Sequence, residues 1–259
     1  MPAIKHDRLS LHFDMDGRAD APHLILSNAL GTSLEVWAPQ MPILRDYFRL
    51  TRYDSRGHGR SGIASGQCTI AQLGEDVIAL MDQSGIERTH FCGLALGGMV
   101  GVWLASHHPA RIERLVVSNT SALAGPAAIW DARIEQVRSG GIEAIAPSVV
   151  QRWFTRDFQE HAMRQVSLVR GMLMATSSAG FIAGCTAMRD LDLREELQKI
   201  ACPTLVMGGR YDKTTSPAQT RQMADHIRDA RYLELNAAHL MNWEVAQSYT
   251  THVMEFLLH

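Results

Sequence analysis

The chain has 259 residues, of which 46% are hydrophobic and 20% are charged, and its formal net charge is −2. This length permits one core with an insertion, and the near-neutral charge without basic runs argues against binding to nucleic acid or to an anionic membrane surface. The apolar stretches are no longer than a strand and the N-terminus lacks the apolar core of a signal peptide, so we expect no transmembrane helix and a cytoplasmic protein.

Short apolar runs alternate with helical patterns in the first half of the chain, which is typical of a mostly parallel sheet with crossover helices. The first run alternates apolar and polar residues, as in a strand with one face in solvent. Thr69 precedes a helical pattern and is its predicted N-cap. The predicted strands span residues 8–14, 23–28, 48–54, 89–94 and 112–119, and the predicted helices span 69–83 and 97–107.

The pattern becomes purely helical between residues 123 and 196 and then returns to alternating strands and helices. A helical insertion in such a sheet is expected to cover the carboxyl ends of the strands, where open α/β sheets bind ligands. We therefore predict a core of residues 1–122 and 197–259 and a cap of residues 123–196. The predicted cap helices span 130–138, 141–153, 163–175 and 178–188, and the later elements are strands 203–208 and 232–235 with helices 217–227 and 243–258.

The cysteines and histidines of the chain predict neither disulfides nor a metal. Cys68, Cys92, Cys185 and Cys202 are far apart, with no C-x-x-C motif, as expected of reduced core thiols in a cytosolic protein. The 12 histidines form no H-E-x-x-H motif or compact cluster with Cys or Asp. We therefore expect no metal and no cofactor.

The most informative segment is Gly93-Leu94-Ala95-Leu96-Gly97-Gly98, which lies between a predicted buried strand and a predicted helix. A nucleophile elbow requires this strand–turn–helix context, with small residues two positions before and after the nucleophile so that the tight turn can form. Gly93 and Gly97 provide those small residues, but the central position is Ala95 where a nucleophile is expected.

Ala95 is interpreted here as a serine that lacks its hydroxyl oxygen. The central residue of an elbow adopts a strained, positive φ that costs about 1–3 kcal/mol, and a natural chain free of catalysis is expected to relax it with Gly or Asn. Alanine keeps the strain and differs from serine by one oxygen, which is the change made to trap a bound substrate. We interpret Ala95 as a deliberate Ser→Ala substitution.

An acid and a histidine follow the elbow in the order that this arrangement requires. Asp212 comes shortly after the predicted strand 203–208, and His239 follows the strand 232–235, so both are expected at the same sheet edge as the elbow. The alternative site for the acid, at the end of the strand after the elbow helix, carries Asn119. His239 would act as the base and Asp212 would orient it.

The predicted site also needs an oxyanion hole. This requires two backbone N–H groups, one after the nucleophile and one from the loop after the third strand of such a sheet, which are those of Leu96 and Leu30.

His58 is a rival base, but it lies in a Gly-rich turn, Asp54-x-Arg56-Gly57-x-Gly59, with an expected buried Arg–Asp contact. We interpret His58 as structural.

These motifs together resemble those of 3-oxoadipate enol-lactone hydrolases. The resemblance covers nearly the whole chain and implies the α/β-hydrolase fold, a mostly parallel eight-stranded sheet with helices on both faces and an inserted helical cap. It also implies opening of an unsaturated lactone by an elbow serine, where this chain has Ala95. The segments that carry it are residues 26–32, 37–40, 52–59, 91–98 and 152–155, with Asp212 and Ala238-His239.

The substrate that this resemblance implies is a small ring with a carboxylate arm, which favours an apolar pocket with one cation and aromatic walls. Trp130, Arg133 and Trp153 of the predicted cap fit this need, and their Trp-x-x-Arg pattern resembles that of the family. Arg133 is the candidate for the carboxylate. The alternative is that Arg133 is a solvated helix residue and that both tryptophans belong to the cap core.

The sequence thus predicts a lactone or ester hydrolase that acts on a small molecule and is inactive because of Ala95. Two other hypotheses remain open. One is a natural ligand-binding protein with a hydrolase pocket, although a receptor has no need of a matched acid and base. The other is a hydrolase in which His239 activates water directly, without a covalent intermediate.

Overall fold

The computed structural model describes residues 2–7, 9–63 and 68–259. Eight strands of this part form one sheet. They are β1 (Ala3–His6), β2 (Leu9–Gly17), β3 (His23–Ser27), β4 (Arg49–Tyr53), β5 (Thr89–Leu94), β6 (Ile112–Ser118), β7 (Thr204–Gly209) and β8 (Ala230–Leu235). Their order across the sheet is β1-β2-β4-β3-β5-β6-β7-β8. The first two strands pair antiparallel and β2 joins β4 antiparallel, whereas all other neighbouring pairs are parallel.

The central strands of this sheet are buried because helices cover both of its faces. The helix after β5 lies against Phe91, since a Cβ at Gly101 would be only 2.9 Å from that ring. The next residue of β5, Cys92, points to the other face and contacts the Tyr249 hydroxyl of the last helix, as does Ser118 of β6. The predicted α/β fold class is confirmed.

The helical segments agree with the predicted alternation. Thr69 caps the first long helix with a complete capping box, in which Gln72 is the partner. The helices are α1 (Met41–Leu44), α2 (Ile70–Gln83), α3 (Leu96–His107), α4 (Ala127–Gly140), α5 (Ala146–Trp153), α6 (Arg156–His161), α7 (Met163–Ala175), α8 (Ser178–Arg189), α9 (Pro217–Asp225), α10 (Met241–Glu244) and α11 (Ala246–Leu258).

Several predicted boundaries were wrong. The single strand predicted over residues 8–14 is part of a hairpin of β1 and β2, with Asp7 at φ 47° and Arg8 outside the described residues. The single helix predicted over 243–258 is interrupted at Val245, where φ is −127° and ψ is 49°. A short helix, α6, begins at the Thr155 cap, and the predicted cap helix 141–153 begins with a 3₁₀ turn.

All four cysteines are free thiols; Cys68, Cys92 and Cys185 are buried, and Cys202 is half-buried just before β7. Among the described residues, no group of three or more His, Cys, Asp or Glu side chains has an arrangement that could hold a metal ion. In the same part of the chain, no single helix has the length and apolar character to cross a membrane. Of the described elements, only the combined length and composition of α7 and α8, which are bent by 92° at their junction, reach that limit.

Candidate active site

The turn between β5 and α3 holds Ala95 in a strained conformation, with φ 51° and ψ −109°. The backbone approaches itself closely here, so that a Cβ at Gly93 would lie 2.2 Å from the Gly97 carbonyl oxygen. A Cβ at Gly97 would lie 2.3 Å from the carbonyl oxygen of Ser27. The Ala95 N–H donates to the Ser118 carbonyl at 2.9 Å, which fixes the turn against β6. Alanine therefore occupies a geometry that costs about 1–3 kcal/mol.

His239 and Asp212 are in direct contact at the carboxyl ends of β7 and β8. The Nδ1 atom of His239 lies 2.8 Å from Oδ2 of Asp212, and because a carboxylate only accepts, Nδ1 is the donor. The other oxygen, Oδ1, accepts the N–H groups of Thr214 at 2.7 Å and Thr215 at 3.1 Å. The histidine side chain is 5% exposed and the aspartate 0%. The Nε2 atom of His239 is thereby left for a reacting group.

Asn119 ties the two loops together, a role that sequence reasoning missed. Its Nδ2 donates to the carbonyl oxygens of Ala238 at 3.0 Å and His239 at 2.6 Å, while its Oδ1 accepts the Gly209 N–H at 2.7 Å. Asn119 also has a positive φ of 49°, which asparagine tolerates better than most residues. In the sequence, Asn119 indicates only that the strand after the elbow helix does not end in an acid. In the structure it orients the loop of His239 relative to the end of β7.

A cavity of about 40 Å³ connects the elbow to the cap. Ala95, His239 and Leu30 line it from the core. Trp130, Arg133 and Trp153 line it from the cap, so six residues singled out from sequence surround one space. Its other walls are Met99, Asn119, Val149, Phe181, Met188, Thr214 and Thr215.

The predicted oxyanion loop is held by a histidine. The Nε2 atom of His58 accepts the N–H of Gly31 at 3.0 Å, and its Nδ1 lies 3.1 Å from the Arg56 carbonyl oxygen. A carbonyl can only accept, so Nδ1 carries the proton and the ring is neutral; burial lowers its pKa accordingly. His58 thus fixes the residue after Leu30. The Leu96 N–H belongs to the first residue of α3 and has no intrahelical acceptor.

A buried Arg–Asp contact is present near His58, but the acid is not Asp54 of the same turn. The guanidinium of Arg56 makes two hydrogen bonds of 2.7 Å to the carboxylate of Asp76 in α2. This bidentate pair anchors the turn that carries His58 to the neighbouring helix. His58 is therefore fixed by the Arg56 carbonyl of its own turn, and it fixes the oxyanion loop through the Gly31 N–H.

We expect the His58→Gln variant to be less stable at neutral pH and to have a weaker pH dependence. The glutamine oxygen can accept the Gly31 N–H in place of Nε2, but no donor then replaces Nδ1–H at the buried Arg56 carbonyl, and a lost partner costs about 1–3 kcal/mol. The pKa of His58 is lowered on folding, so below pH 6.5 the unfolded chain binds a proton that the folded chain does not. Between pH 7.5 and 5.5 this removes up to about 1.4 kcal/mol from the parent and nothing from the variant.

Urea unfolding at the two pH values measures both effects. His252→Gln, a change at a half-exposed histidine of α11, is the matched control and should retain the part of the pH dependence that comes from His58. An identical loss of stability with falling pH in the parent and the His58→Gln variant would contradict a neutral His58.

Arg133 is a half-buried cation at the wall of the cavity. Its guanidinium carbon lies 5.0 Å from the centre of the Trp130 ring, and burial lowers its pKa. Within the part of the chain that the structure describes, no acidic side chain pairs with it. The pKa of the nearby Arg152 is also lowered, by burial and then by the charge of Arg133. The two neighbouring positive charges, of which Arg133 has no acidic partner among the described residues, make this region favourable for an anion.

Comparison with known proteins places this chain in a family. A model of the α/β hydrolase fold matches residues 22–246. The chain is 38% identical to 3-oxoadipate enol-lactonase 2 of Acinetobacter baylyi over 96% of its own length and 93% of that protein. It is 31% identical to a putative carbamate hydrolase, RutD, of Rhizobium rhizogenes over 95% and 97% of the two chains.

A solved structure, the enol-lactonase from Burkholderia xenovorans LB400, superimposes with a TM-score of 0.98 at 42% identity and covers 100% of both chains. The resemblance to 3-oxoadipate enol-lactone hydrolases that the motifs predicted is therefore confirmed. The chain belongs to the α/β hydrolase family.

Proposed function

We propose that this protein is a lactonase of the Ser-His-Asp type in which Ala95 replaces the nucleophilic serine, so that the chain binds its substrate without opening it. The substrate is a small unsaturated lactone with a carboxylate arm. One observation carries the proposal: the strained Ala95, the His239–Asp212 pair and the half-buried Arg133 adjoin a single cavity.

With serine at position 95, the chemistry follows from the geometry. The hydroxyl oxygen attacks the lactone carbonyl while Nε2 of His239 takes its proton, and Asp212 stabilises the imidazolium. The Leu30 and Leu96 N–H groups are the proposed hydrogen-bond donors to the developing oxyanion. Collapse breaks the ring C–O bond and releases an enolate, a good leaving group, which receives the proton from His239. Water, deprotonated by His239, then hydrolyses the acyl-enzyme to a keto acid with two carboxylates.

Alanine at position 95 removes the nucleophile, and with it every step that depends on the covalent adduct. The side chain of Ala95 is smaller than that of serine, so it does not obstruct the site. The base, its orienting acid and the oxyanion N–H groups are all retained. A protein that had become a receptor would gain stability by relaxing the turn at Ala95 with glycine. We therefore infer that the serine of an active parent was changed to alanine.

The division of the chain is part of the same proposal. We assign residues 123–196 to the cap and residues 1–122 and 197–259 to the core. At the base of the cap the two connecting segments meet, since the Leu193 N–H donates to the Ala122 carbonyl at 2.8 Å and Leu123 pairs with Asp192. We further propose a cytoplasmic location, in keeping with four free thiols, and a small molecule rather than nucleic acid or a membrane as partner.

Carboxylate recognition by Arg133 is tested by binding to the chain as it stands. We expect calorimetry to detect the carboxylate-bearing enol-lactone, and chromatography to recover it unopened. The Arg133→Gln variant should bind it about 10- to 100-fold more weakly, because a charge-assisted hydrogen bond contributes about 1.5–3 kcal/mol. The methyl ester of the same lactone has no anionic arm, so its Kd should change less than about threefold.

Arg170→Gln, at an exposed arginine of α7 away from the cavity, is the matched control and should leave both Kd values unchanged. Equal effects of Arg133→Gln on the acid and on its ester would show that Arg133 does not bind the carboxylate. Failure of the parent chain to bind any lactone would overturn the proposed substrate class.

A further inference from the structure

Glu244, at the end of α10, connects the cap to the loop of His239. We propose that it is a positioning residue: its carboxylate couples the seating of the cap to the orientation of the catalytic histidine. This inference rests on the proposed function of His239 as the base. It concerns a residue that does not line the cavity and therefore acts through the loop.

The carboxylate accepts hydrogen bonds from both partners. Its Oε2 accepts the N–H of Ala238, the residue before His239, at 2.8 Å. Its Oε1 accepts the N–H of Thr155 in the cap at 3.1 Å and also bonds to the Thr155 hydroxyl. On the other side of His239, the Leu240 N–H donates to the Trp153 carbonyl at 2.9 Å. Both neighbours of the histidine are thus tied to the short cap segment from Trp153 to Thr155.

Only an ionised carboxylate satisfies this set of partners well. Two backbone N–H groups and one hydroxyl converge on its two oxygens, and a carboxylate accepts without needing to donate. A glutamine would direct its amide N–H₂ at either Ala238 or Thr155, each of which presents an N–H donor. One side of the connection would then break, and a buried donor would lose its acceptor.

The contacts of Glu244 link the cap segment that encloses the substrate to the loop of the catalytic histidine. Trp153 lines the cavity beside His239, and Thr155 follows it by two residues, so the cap segment that encloses the substrate is the one that Glu244 holds. Asn119 fixes the same loop from the core side, independently of the cap. The loop of His239 therefore has one set of contacts to the core, through Asn119, and a second set to the segment from Trp153 to Thr155.

The test is the Glu244→Gln variant, made both in the chain as it stands and together with Ala95→Ser. In the Ala95 chain, proton NMR should show a downfield resonance from the His239 Nδ1–H in the hydrogen bond to Asp212. We expect Glu244→Gln to broaden or remove it. With Ala95→Ser, kcat should fall about 10- to 100-fold while KM changes less than about threefold, because a displacement of about 1 Å costs on the order of 100-fold.

Two milder changes and one control keep the test decisive. Thr155→Ser retains the hydroxyl and should behave as the parent, whereas Thr155→Val loses it and should lower kcat about 3- to 10-fold. Thr155→Val also serves if Glu244→Gln does not fold. Glu160→Gln, at another glutamate of the open groove that Glu244 lines, should change neither the resonance nor kcat.

A sharp, unshifted His239 resonance and an unchanged kcat in both Glu244→Gln and Thr155→Val would overturn the proposal, as would a lower melting temperature with both readouts intact. The resonance is measured in the Ala95 chain, where no turnover is needed. Absence of lactone hydrolysis by the Ala95→Ser variant would therefore refute the proposed function and leave the result on Glu244 interpretable.

Discussion

The Ala95→Ser variant is expected to open carboxylate-bearing enol-lactones with a kcat about 10⁵- to 10⁶-fold above that of the chain as it stands. Loss of the nucleophile in a serine hydrolase costs about this factor, and what remains comes from the oxyanion hole and from binding. Here the base, its acid partner and the turn are already in place. The measurement is steady-state turnover of the enol-lactone, with short p-nitrophenyl esters as a second substrate class.

The variant should also fold as well as the parent. The strain at position 95 is in the backbone, at φ 51° and ψ −109°, and serine and alanine share the same Cβ. The added hydroxyl enters the cavity that His239 lines, where Nε2 can accept its hydrogen bond. We expect the free energy of unfolding to change by less than about 1 kcal/mol, as measured by urea denaturation.

Two controls isolate the oxygen as the cause. Ala95→Gly relieves the positive φ without supplying a nucleophile, so it should leave activity at the parent level. Ala95→Ser combined with His239→Gln has the nucleophile without its base and should lose most of the gain. Silence of Ala95→Ser on every lactone and ester would refute the hydrolase, and comparable turnover by the unmodified chain would instead favour direct activation of water by His239.

The parts of this site that could be predicted from sequence are those whose signals are local. The elbow is marked by Gly93 and Gly97 between a buried strand and a helix, and steric contact explains both glycines. Asp212 and His239 each follow a strand whose end can be placed from its apolar run. Because parallel strands end at one edge of a sheet, the side chains that follow them come together without knowledge of the register.

The residues that support the site could not be predicted because their partners are distant in sequence. Asn119 bonds to a loop 119 and 120 residues away, and Glu244 bonds to Thr155 across 89 residues. Neither contact has a periodicity or spacing that a single sequence displays. The interruption of the last helix at Val245 is similar, since no Gly or Pro marks it. The roles of these residues depend on how the loops and the cap pack against each other in the folded chain.

The Asp212→Asn substitution should lower kcat of the Ala95→Ser variant by about 10³- to 10⁴-fold at neutral pH. The N–H groups of Thr214 and Thr215 both point at Oδ1, so an asparagine must place its carbonyl oxygen there. Its N–H₂ group then faces Nδ1 of His239 where Oδ2 now accepts. Nδ1 must become the acceptor, the ring proton moves to Nε2, and the histidine can no longer take a proton from serine.

Asp212→Asn should therefore change the tautomer of His239 without changing the fold, and the two can be measured separately. In ¹⁵N NMR of the Ala95 chain, the His239 ring should shift from the Nδ1–H to the Nε2–H form on Asp212→Asn. Asp20→Asn, at an exposed aspartate paired with Arg18, should affect neither the tautomer nor kcat. If Asp212→Asn kept the Nδ1–H form and most of the activity, the carboxylate would not be orienting the base. The acid of this site would then have to be sought elsewhere.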